Sequence, residues 1–329
     1  MRTIINNSNK PQYNLALEEY VFKYLDIDDD FAFLWVNEPS VIIGRNQNTI
    51  EEVNNTYIQK HNINVVRRIT GGGAVYHDFG NLNFSFITRN VEDNVNNFRK
   101  FTQPVIDMLR SIGVPAEFSG RNDITVEGKK ISGNAQSYYR NRVLHHGTIL
   151  FNSDLDMVNN VLNVKIDKIE SKGIKSVRSR VTNILPYINK PMTLKEFQDE
   201  LLKFILNTDD ITPYIYELTE EDQKIIRQLM EEKYLKWEWN YGESPDFNLQ
   251  KSNRYPGGKI DVRLNVSEGY IKSCKIYGDF FGQEDISNLE NLMINQRFEE
   301  NTIRKLLENE IDKYFFNITL DDFINCLFY

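Results

Sequence analysis

Four stretches of the chain carry side chains able to act together on a substrate. The first is RRITGGGAVYHDFGNLNFSF, residues 67–86. Two arginines lead into three consecutive glycines, and a histidine and an alternating strand follow. Glycines in a row weaken any regular element, because each loses much backbone freedom on folding. The spacing matches neither G-x-x-x-x-G-K-[ST] nor G-x-G-x-x-G ahead of a helix. Bare N–H groups here can still meet a phosphate or carboxylate, with Arg67 or Arg68 as countercharge. The competing reading is a tight turn with both arginines in solvent.

The second stretch is GRNDITVEGKKISGNAQ, residues 120–136. A hairpin turning at Glu127-Gly128 brings Asn122 and Asp123 opposite Lys130–Gly133. A cation, an amide and small residues gathered there suit an anionic substrate; the alternative is an exposed basic hairpin. The third is HHGT, residues 145–148. No third His, Cys or carboxylate stands at metal-ligand spacing. Neighbouring strand residues face opposite ways, so one of His145 and His146 is structural. The fourth is SKGIKSVRSRVTN, residues 171–183. Its glycine, serines and four bases describe either a cationic loop that closes over phosphate or an exposed linker.

The elements that position these stretches follow from periodicity. Pro11 opens a helix with Leu17, Val21 and Tyr24/Leu25 on one face. FAFLWV (31–36), SVIIG (40–44) and VVRRI (65–69) read as strands. In NLNFSFI (81–87), Leu82, Phe84 and Phe86 share one face and Asn81, Asn83 and Ser85 the other. A helix over about 93–112 carries Phe98, Phe101, Val105, Leu109 and Ile112; Pro104 bends it and Gly113 ends it. Residues 116–151 form antiparallel strands. Thr193 and Glu196 make a capping box for a helix through Leu206. Another helix covers roughly 219–236. Beyond Trp237, Trp239 and Tyr241, a hairpin joins IDVRLNV to YIKSCKIYGDFF at Glu268-Gly269, and two or three short helices finish the chain. This change of pattern places a domain boundary near residue 247.

Composition narrows the class. The chain has 329 residues, long enough for two domains, with 40% hydrophobic and 26% charged residues. No apolar run is long enough to span a membrane, and MRTIINNSNKPQYN has no secretory apolar region. Two cysteines, Cys274 and Cys326, are too few for a disulfide framework, which points to a reducing, cytoplasmic setting. A net charge of −8 argues against general nucleic-acid binding. The charge is uneven. Residues 165–180 hold six Lys/Arg against two Asp/Glu, and residues 217–232 reverse this ratio. The first can meet an anion; the second reads as a solvated helix face.

The order of these motifs closely resembles the lipoate–protein ligase A family, within the biotin/lipoate ligase superfamily. RRITGGGAVYHD, GRND, GKKISG, HHGT and KGIKSVRSRVTN follow one another as they do there. NLALEEY (14–20), LWVNEPSVIIGRNQN (34–48), WEWNYGESPDF (237–247) and YPGGKIDVRLNV ahead of IYGDFF extend the resemblance over nearly the whole chain.

The resemblance implies an α+β fold: a mixed-sheet catalytic domain (1–247) and a small α+β C-terminal domain (248–329). It implies activation of free (R)-lipoate with ATP and Mg²⁺ to lipoyl-AMP. Transfer follows to a lysine of a lipoyl carrier, either the acyltransferase (E2) subunits of 2-oxo-acid dehydrogenases or the glycine cleavage H protein. Lys130 is the implied catalytic residue. Arg68, Gly71, Gly72, Gly73, Ala74, Val75, Tyr76, Asn122, Asp123, Lys172, Gly173, Ser176 and Arg178 would join Lys130 around the adenylate. Arg68, Gly73, Lys130 and His146 would hold lipoate, and Asp123 would help bind Mg²⁺. Glu18 and His77 sit in family motifs without an assigned role. The apolar lipoate tunnel would draw on Trp35, Val41, Ile43, Phe84 and Phe86. The basic 165–180 stretch would dock an acidic carrier. Two rivals remain: a transferase of the same superfamily working through a cysteine thioester, and a non-catalytic carrier-binding protein. A biotin ligase is disfavoured by the lack of a G-R-G-R-x-G-R run.

Overall fold

The computed structural model describes residues 1–26, 28–89, 91–162, 180–241 and 248–328. The expected domain boundary at 247 and Lys172, Gly173, Ser176 and Arg178 of the cationic loop lie outside these residues.

Nine strands precede residue 162 among the described residues: β1 (Phe31–Trp35), β2 (Ser40–Ile43), β3 (Asn64–Arg67), β4 (Val75–His77), β5 (Asn81–Arg89), β6 (Ala116–Ser119), β7 (Asp123–Val126), β8 (Lys129–Tyr139) and β9 (Arg142–Leu150). They form two sheets. One is antiparallel, in the order β1-β5-β9-β8-β7-β6. The other is β3-β2-β4, parallel on one side of β2 and antiparallel on the other. The strands FAFLW and SVII, close in sequence, therefore belong to different sheets.

β5 explains how the layers stack. Its Leu82, Phe84 and Phe86 enter a core with the helices Phe98–Ser111 and Leu194–Leu206. Its other face, Asn81, Asn83 and Ser85, is buried as well. That face looks toward the helix Pro11–Lys23 and the smaller sheet, whose Ile42 and Val66 share a second core with Leu15, Trp35 and Leu144. Polar side chains in this interior need partners, since an unsatisfied buried polar group is costly. Asn81 donates to Asn83, Asn83 to Trp35 O and Ser85 to Glu18, and a cleft opens beside them.

The helix boundaries follow local chemistry. Thr193 and Glu196 complete their capping box, and Asn207 ends that helix in the left-handed conformation. The helix at 98–111 begins later than its apolar spacing suggests. Asn97 caps it, and a separate turn, Val91–Asn94, precedes it. The predicted helix at 219–236 runs as Glu220–Leu229 and then widens into a π-turn, Met230–Tyr234.

After residue 248 a three-stranded meander, β10 (Leu249–Tyr255), β11 (Gly258–Ser267) and β12 (Tyr270–Gly278), packs on its own apolar core. The first of these strands was not read from the sequence, because LQKSNRY carries almost no apolar side chains. Four helical segments follow, Ile286–Met293, Glu300–Leu307, Ile311–Tyr314 and Leu320–Phe328, where two or three were expected. No described helix is long and apolar enough to cross a membrane.

Candidate active site

The β7–β8 hairpin is built as its sequence demands. Glu127 and Gly128 take φ of 52° and 74°, the left-handed pair of a type I′ turn. Asp123 pairs with Gly133 and Ile124 with Ser132, but Thr125 pairs with Lys130. Ile131 is thus an extra residue, and the bulge re-aims Lys130. Lys130 Nζ lies 2.7 Å from Asp123 Oδ1. A Cβ on Gly133 would come within 2.8 Å of that ammonium. Gly133 leaves the lysine its path. Asn122 Nδ2 donates to Asn134 O at 2.5 Å, and Asn134 Nδ2 returns a bond to Asn122 O at 3.0 Å. The Lys130 backbone also holds the described end of the cationic loop. Its N–H donates to Arg180 O at 2.8 Å, and it accepts from Thr182 N at 3.0 Å.

Both arginines before the glycines are buried, which removes the reading of a turn with its arginines in solvent. Arg67 donates to the carbonyls of Gly44, Arg45, Gln47, Trp239 and Asn240 and to Thr49 Oγ1. It stitches the smaller sheet to the turn at Trp237–Asn240 and takes no place in the cleft. Arg68 donates to Thr70 Oγ1, Ile42 O, Gly71 O and Gly73 O. It folds the glycine loop around itself. Burial brings each guanidinium down to about 10, still charged at neutral pH.

The glycines answer to different neighbours. A Cβ on Gly71 would meet Phe280 O at 2.5 Å, so the C-terminal part of the chain sits directly on the loop. Gly72 has φ +94°, and a Cβ there would approach Arg68 Nη2 at 2.9 Å. At Gly73 nothing lies within 4 Å. Two of the three are required by the protein's own packing; the third borders open space.

That space is a cleft between the two sheets. Lys130, Asn122, Gly133 and Thr148 line it with Gly72, Gly73 and Ala74. Leu15, Trp35, Ile42 and His77 line it as well, all buried. Phe281 closes one side, with Arg121 over its ring at 4.4 Å. Arg121 also donates to Gly257 O, so the GRND arginine clamps the C-terminal part of the chain. Of the expected residues, Arg68, Gly72, Gly73, Ala74, Val75, Asn122, Lys130 and His146 line the cleft. Asp123 reaches it through Lys130. The Tyr76 side chain packs away from it, among Val41 and Ile43, and burial raises its phenol to about 12. Val41, Ile43, Phe84 and Phe86, expected along the tunnel, lie in apolar cores.

The two adjacent histidines separate as the pleat requires. His145 stacks on Phe101 at 4.8 Å within the apolar core, and burial pushes its pKa well down. His146 faces the cleft. Its Nδ1 is 2.9 Å from Glu18 Oε1, and its Nε2 is 2.8 Å from Thr70 Oγ1. Ser85 Oγ donates to Glu18 at 2.6 Å, and Trp35 Nε1 donates to Ser85 at 2.9 Å. Glu18 and Thr70 are thereby found as partners of the cleft wall. The signal for Glu18 was a carboxylate among the apolar residues of NLALEEY; Thr70, in the loop before the glycines, gave none. Phe281 gave no comparable signal, because the fold alone brings residue 281 to residue 72.

No group of three or more His, Cys, Asp or Glu able to hold a metal occurs among the described residues. Asp123 is a single carboxylate, about a third exposed, paired with Lys130. One carboxylate beside substrate oxygens and water is a donor set that suits Mg²⁺. The arrangement could receive an anion at a lysine and an apolar chain beside Leu15, Trp35 and Ile42.

Comparison with known proteins shows what the chain resembles as a whole. Residues 10–206 match the lipoyl protein ligase A/B catalytic domain, and residues 244–327 match the bacterial lipoate protein ligase C-terminus. A lipoate-protein ligase of Bacillus subtilis is 53% identical over 325 residues, 98% of both chains. Among solved structures, P. falciparum LipL1 in complex with lipoate superposes with a TM-score of 0.77 at 28% identity, covering 98% of this chain and 97% of that one. A bi-partite lipoate protein ligase of Thermoplasma acidophilum, described with its E2 lipoyl domain, gives 0.63 at 31% identity, covering 75% and 98%. Lipoate-protein ligase A bound with ATP gives 0.61 at 29% identity, covering 73% and 98%.

Proposed function

The chain belongs to the lipoate–protein ligase family, and from that premise we propose what its residues do. It is an ATP-dependent ligase that activates lipoate as lipoyl-AMP and joins it to protein. The observation that carries the residue assignment is Lys130 Nζ, 2.7 Å from Asp123 and aimed over Gly133 at the cleft.

In the first step a lipoate carboxylate oxygen attacks the α-phosphorus of ATP. A P–O bond forms, another breaks, and pyrophosphate leaves. Two anions must approach, and negative charge gathers on the phosphoryl oxygens, so a fixed cation stabilises the transition state more than the ground state. Lys130 is that cation, a compact ammonium able to touch carboxylate and phosphate oxygens together. Backbone N–H groups of Gly73, Ala74, Val75 and Tyr76, with Asn122, line the nucleotide. Arg68 shapes the loop from beneath and adds its charge. Asp123 would help hold Mg²⁺, which would neutralise phosphate charge. Lys172, Gly173, Ser176 and Arg178 would cover the adenylate.

In the second step an ε-amine of the carrier attacks the acyl carbonyl. An amide forms, AMP leaves and the amine loses a proton. The mixed anhydride is already reactive, so this step needs alignment rather than a protein nucleophile. Cys274 and Cys326 support this route over a thioester. Both are buried in the C-terminal part, and burial raises both thiols, Cys326 to about 11. The acceptors are lipoyl domains of E2 type, with glycine cleavage H protein as a second class. The basic 165–180 stretch is the docking surface. We divide the chain at 247/248 and place the enzyme in the cytoplasm.

The test is lipoate-dependent exchange between ATP and labelled pyrophosphate, without any carrier. Exchange identifies the adenylating ligase. Acyl transfer from a carrier without ATP, and no exchange, identifies the thioester rival. Binding of a carrier with neither activity identifies a non-catalytic partner.

A further inference from the structure

His77 is buried in the wall of the cleft, with an imidazole nitrogen, Nε2, that no group among the described residues satisfies. A chain of asparagines fixes what that nitrogen is. Asn6 Nδ2 donates to Asn14 Oδ1 at 2.9 Å. Asn14 Nδ2 donates to Asn37 Oδ1 at 2.9 Å. Asn37 therefore presents its Nδ2–H to His77, whose Nδ1 lies 3.1 Å away and must accept. The ring proton then resides on Nε2. Burial, with Arg68 and His146 nearby, brings the ring's pKa down to about 3 and keeps it neutral. His77 is a fixed neutral donor without an acceptor, beside Leu15, Trp35 and Ile42.

A buried N–H with no partner is unfavourable, and a ligand that supplies an acceptor relieves it. Lipoate bound with its carboxylate at Lys130 places its dithiolane among the apolar side chains. The two sulfurs are the only acceptors at that end of the molecule. A straight-chain acid such as octanoate brings only a methyl group. We propose that His77 Nε2–H donates to a dithiolane sulfur and so makes the cleft prefer lipoate over octanoate. This rests on the ligase reading given above and concerns specificity within it. Sulfur is a weak acceptor, so the preference due to this bond is several-fold, up to about tenfold.

Pyrophosphate exchange is measured with lipoate and with octanoate for wild type, His77→Gln and His77→Leu. The glutamine keeps a donor near the position of Nε2; the leucine keeps bulk alone. The lipoate-to-octanoate ratio of kcat/KM should fall several-fold in His77→Leu, through the KM for lipoate. In His77→Gln it should stay within about twofold. A folded His77→Leu with the wild-type ratio overturns the proposal. Should that variant not fold, the ¹H–¹⁵N resonance of His77 Nε2 in wild type decides. A shift with lipoate and not octanoate supports the bond, and equal shifts overturn it. Wild type that exchanges pyrophosphate with neither acid overturns the ligase reading, and the proposal falls with it.

Discussion

Lys130 Nζ and Asp123 Oδ1 lie 2.7 Å apart across the β7–β8 ladder, one residue beyond a bulge. Both side chains are about a third exposed, 38% and 34%. A pair so open to water contributes roughly 0–1 kcal/mol to stability, so its meaning is placement. Lys130→Ala should fold with an almost unchanged unfolding midpoint. Removing one positioned cation from a developing charge lowers the rate by about 10²–10³. Lipoate-dependent pyrophosphate exchange checks it. Lys130→Arg should rescue little, because the wider fork must pass where Gly133 leaves a narrow path. Exchange near the wild-type rate in Lys130→Ala would take this residue out of the chemistry.

Arg67 should behave in the opposite way. Its guanidinium serves six acceptors on two segments of chain, 44–49 and 239–240, none of them in the cleft. Lysine offers three donors from one nitrogen and cannot reach them all. Arg67→Lys should cost about 2–4 kcal/mol of stability while the KM for lipoate in the folded fraction stays close to wild type. Urea unfolding and exchange kinetics, measured together, separate the two arginines that stand side by side in the sequence.

The sequence showed the β7–β8 hairpin and its two facing groups because turn chemistry and strand period act locally. Glu127-Gly128 prescribes the turn, and the turn brings Asp123 to the Ser132-Gly133 end of the facing strand; the bulge at Ile131 then moves its partner from Ser132 to Gly133. It also showed that His145 and His146 must part. The local pattern did not show which arginine would enter the site; only the family resemblance singled out Arg68. Arg67 and Arg68 differ only in the sheet face they take and in carbonyls supplied by residues 42–49 and 239–240. Phe281 was invisible for a related reason. Nothing near residue 281 records that its ring lies on Gly72, a contact across more than two hundred residues. β10 was missed because its polar side chains remain near solvent and only its backbone pairing makes it a strand.

Gly72→Ala tests that long-range contact. The backbone there is left-handed at φ +94°, and the new methyl would meet Arg68 Nη2 at 2.9 Å and the Phe281 ring at 3.2 Å. Strain of this kind costs about 1–3 kcal/mol. The loop should shift, weakening the bonds from Arg68 to Gly71 and Gly73. Exchange should fall by at least about tenfold, and the C-terminal part should become easier to cleave with protease. At Gly73 a Cβ meets no protein atom, so Gly73→Ala should keep stability and lose only ligand affinity. A Gly73→Ala protein as unstable as Gly72→Ala would contradict the assignment.

Two buried histidines set the acid limit of the fold. Both His77 and His145 are held neutral by burial, His77 at about 3 and His145 well below its usual value. In the unfolded chain each titrates near 6.5. Between these values the unfolded state binds protons that the folded state does not, so stability falls as pH falls below about 6.5. Each group contributes up to about 1.4 kcal/mol per pH unit in that window. Urea unfolding at pH 7, 6 and 5 should show the decline. His145→Gln, though less stable at pH 7, should show a slope shallower by about 1 kcal/mol per unit. An unchanged slope would mean that His145 can be protonated inside the core.

Replacing both Cys274 and Cys326 by serine distinguishes the ligase from its superfamily rival. Cys274 is buried on β12 with its sulfur 4.0 Å from Met293 Sδ, and Cys326 is buried in the last helix. Neither lines the cleft that holds Lys130. A thiol raised by burial is a poor nucleophile, since the thiolate does the attacking. Serine in the apolar site of Cys274 should cost about 1–3 kcal/mol of stability, so activity is compared well below the variant's melting temperature. The folded double variant should form lipoyl-AMP and transfer lipoate at close to wild-type rates. A thioester enzyme would lose transfer altogether, and its wild type would carry an acyl group that hydroxylamine removes. An inactive folded double variant, with such an adduct on either cysteine of the wild type, would rule out direct transfer from the adenylate.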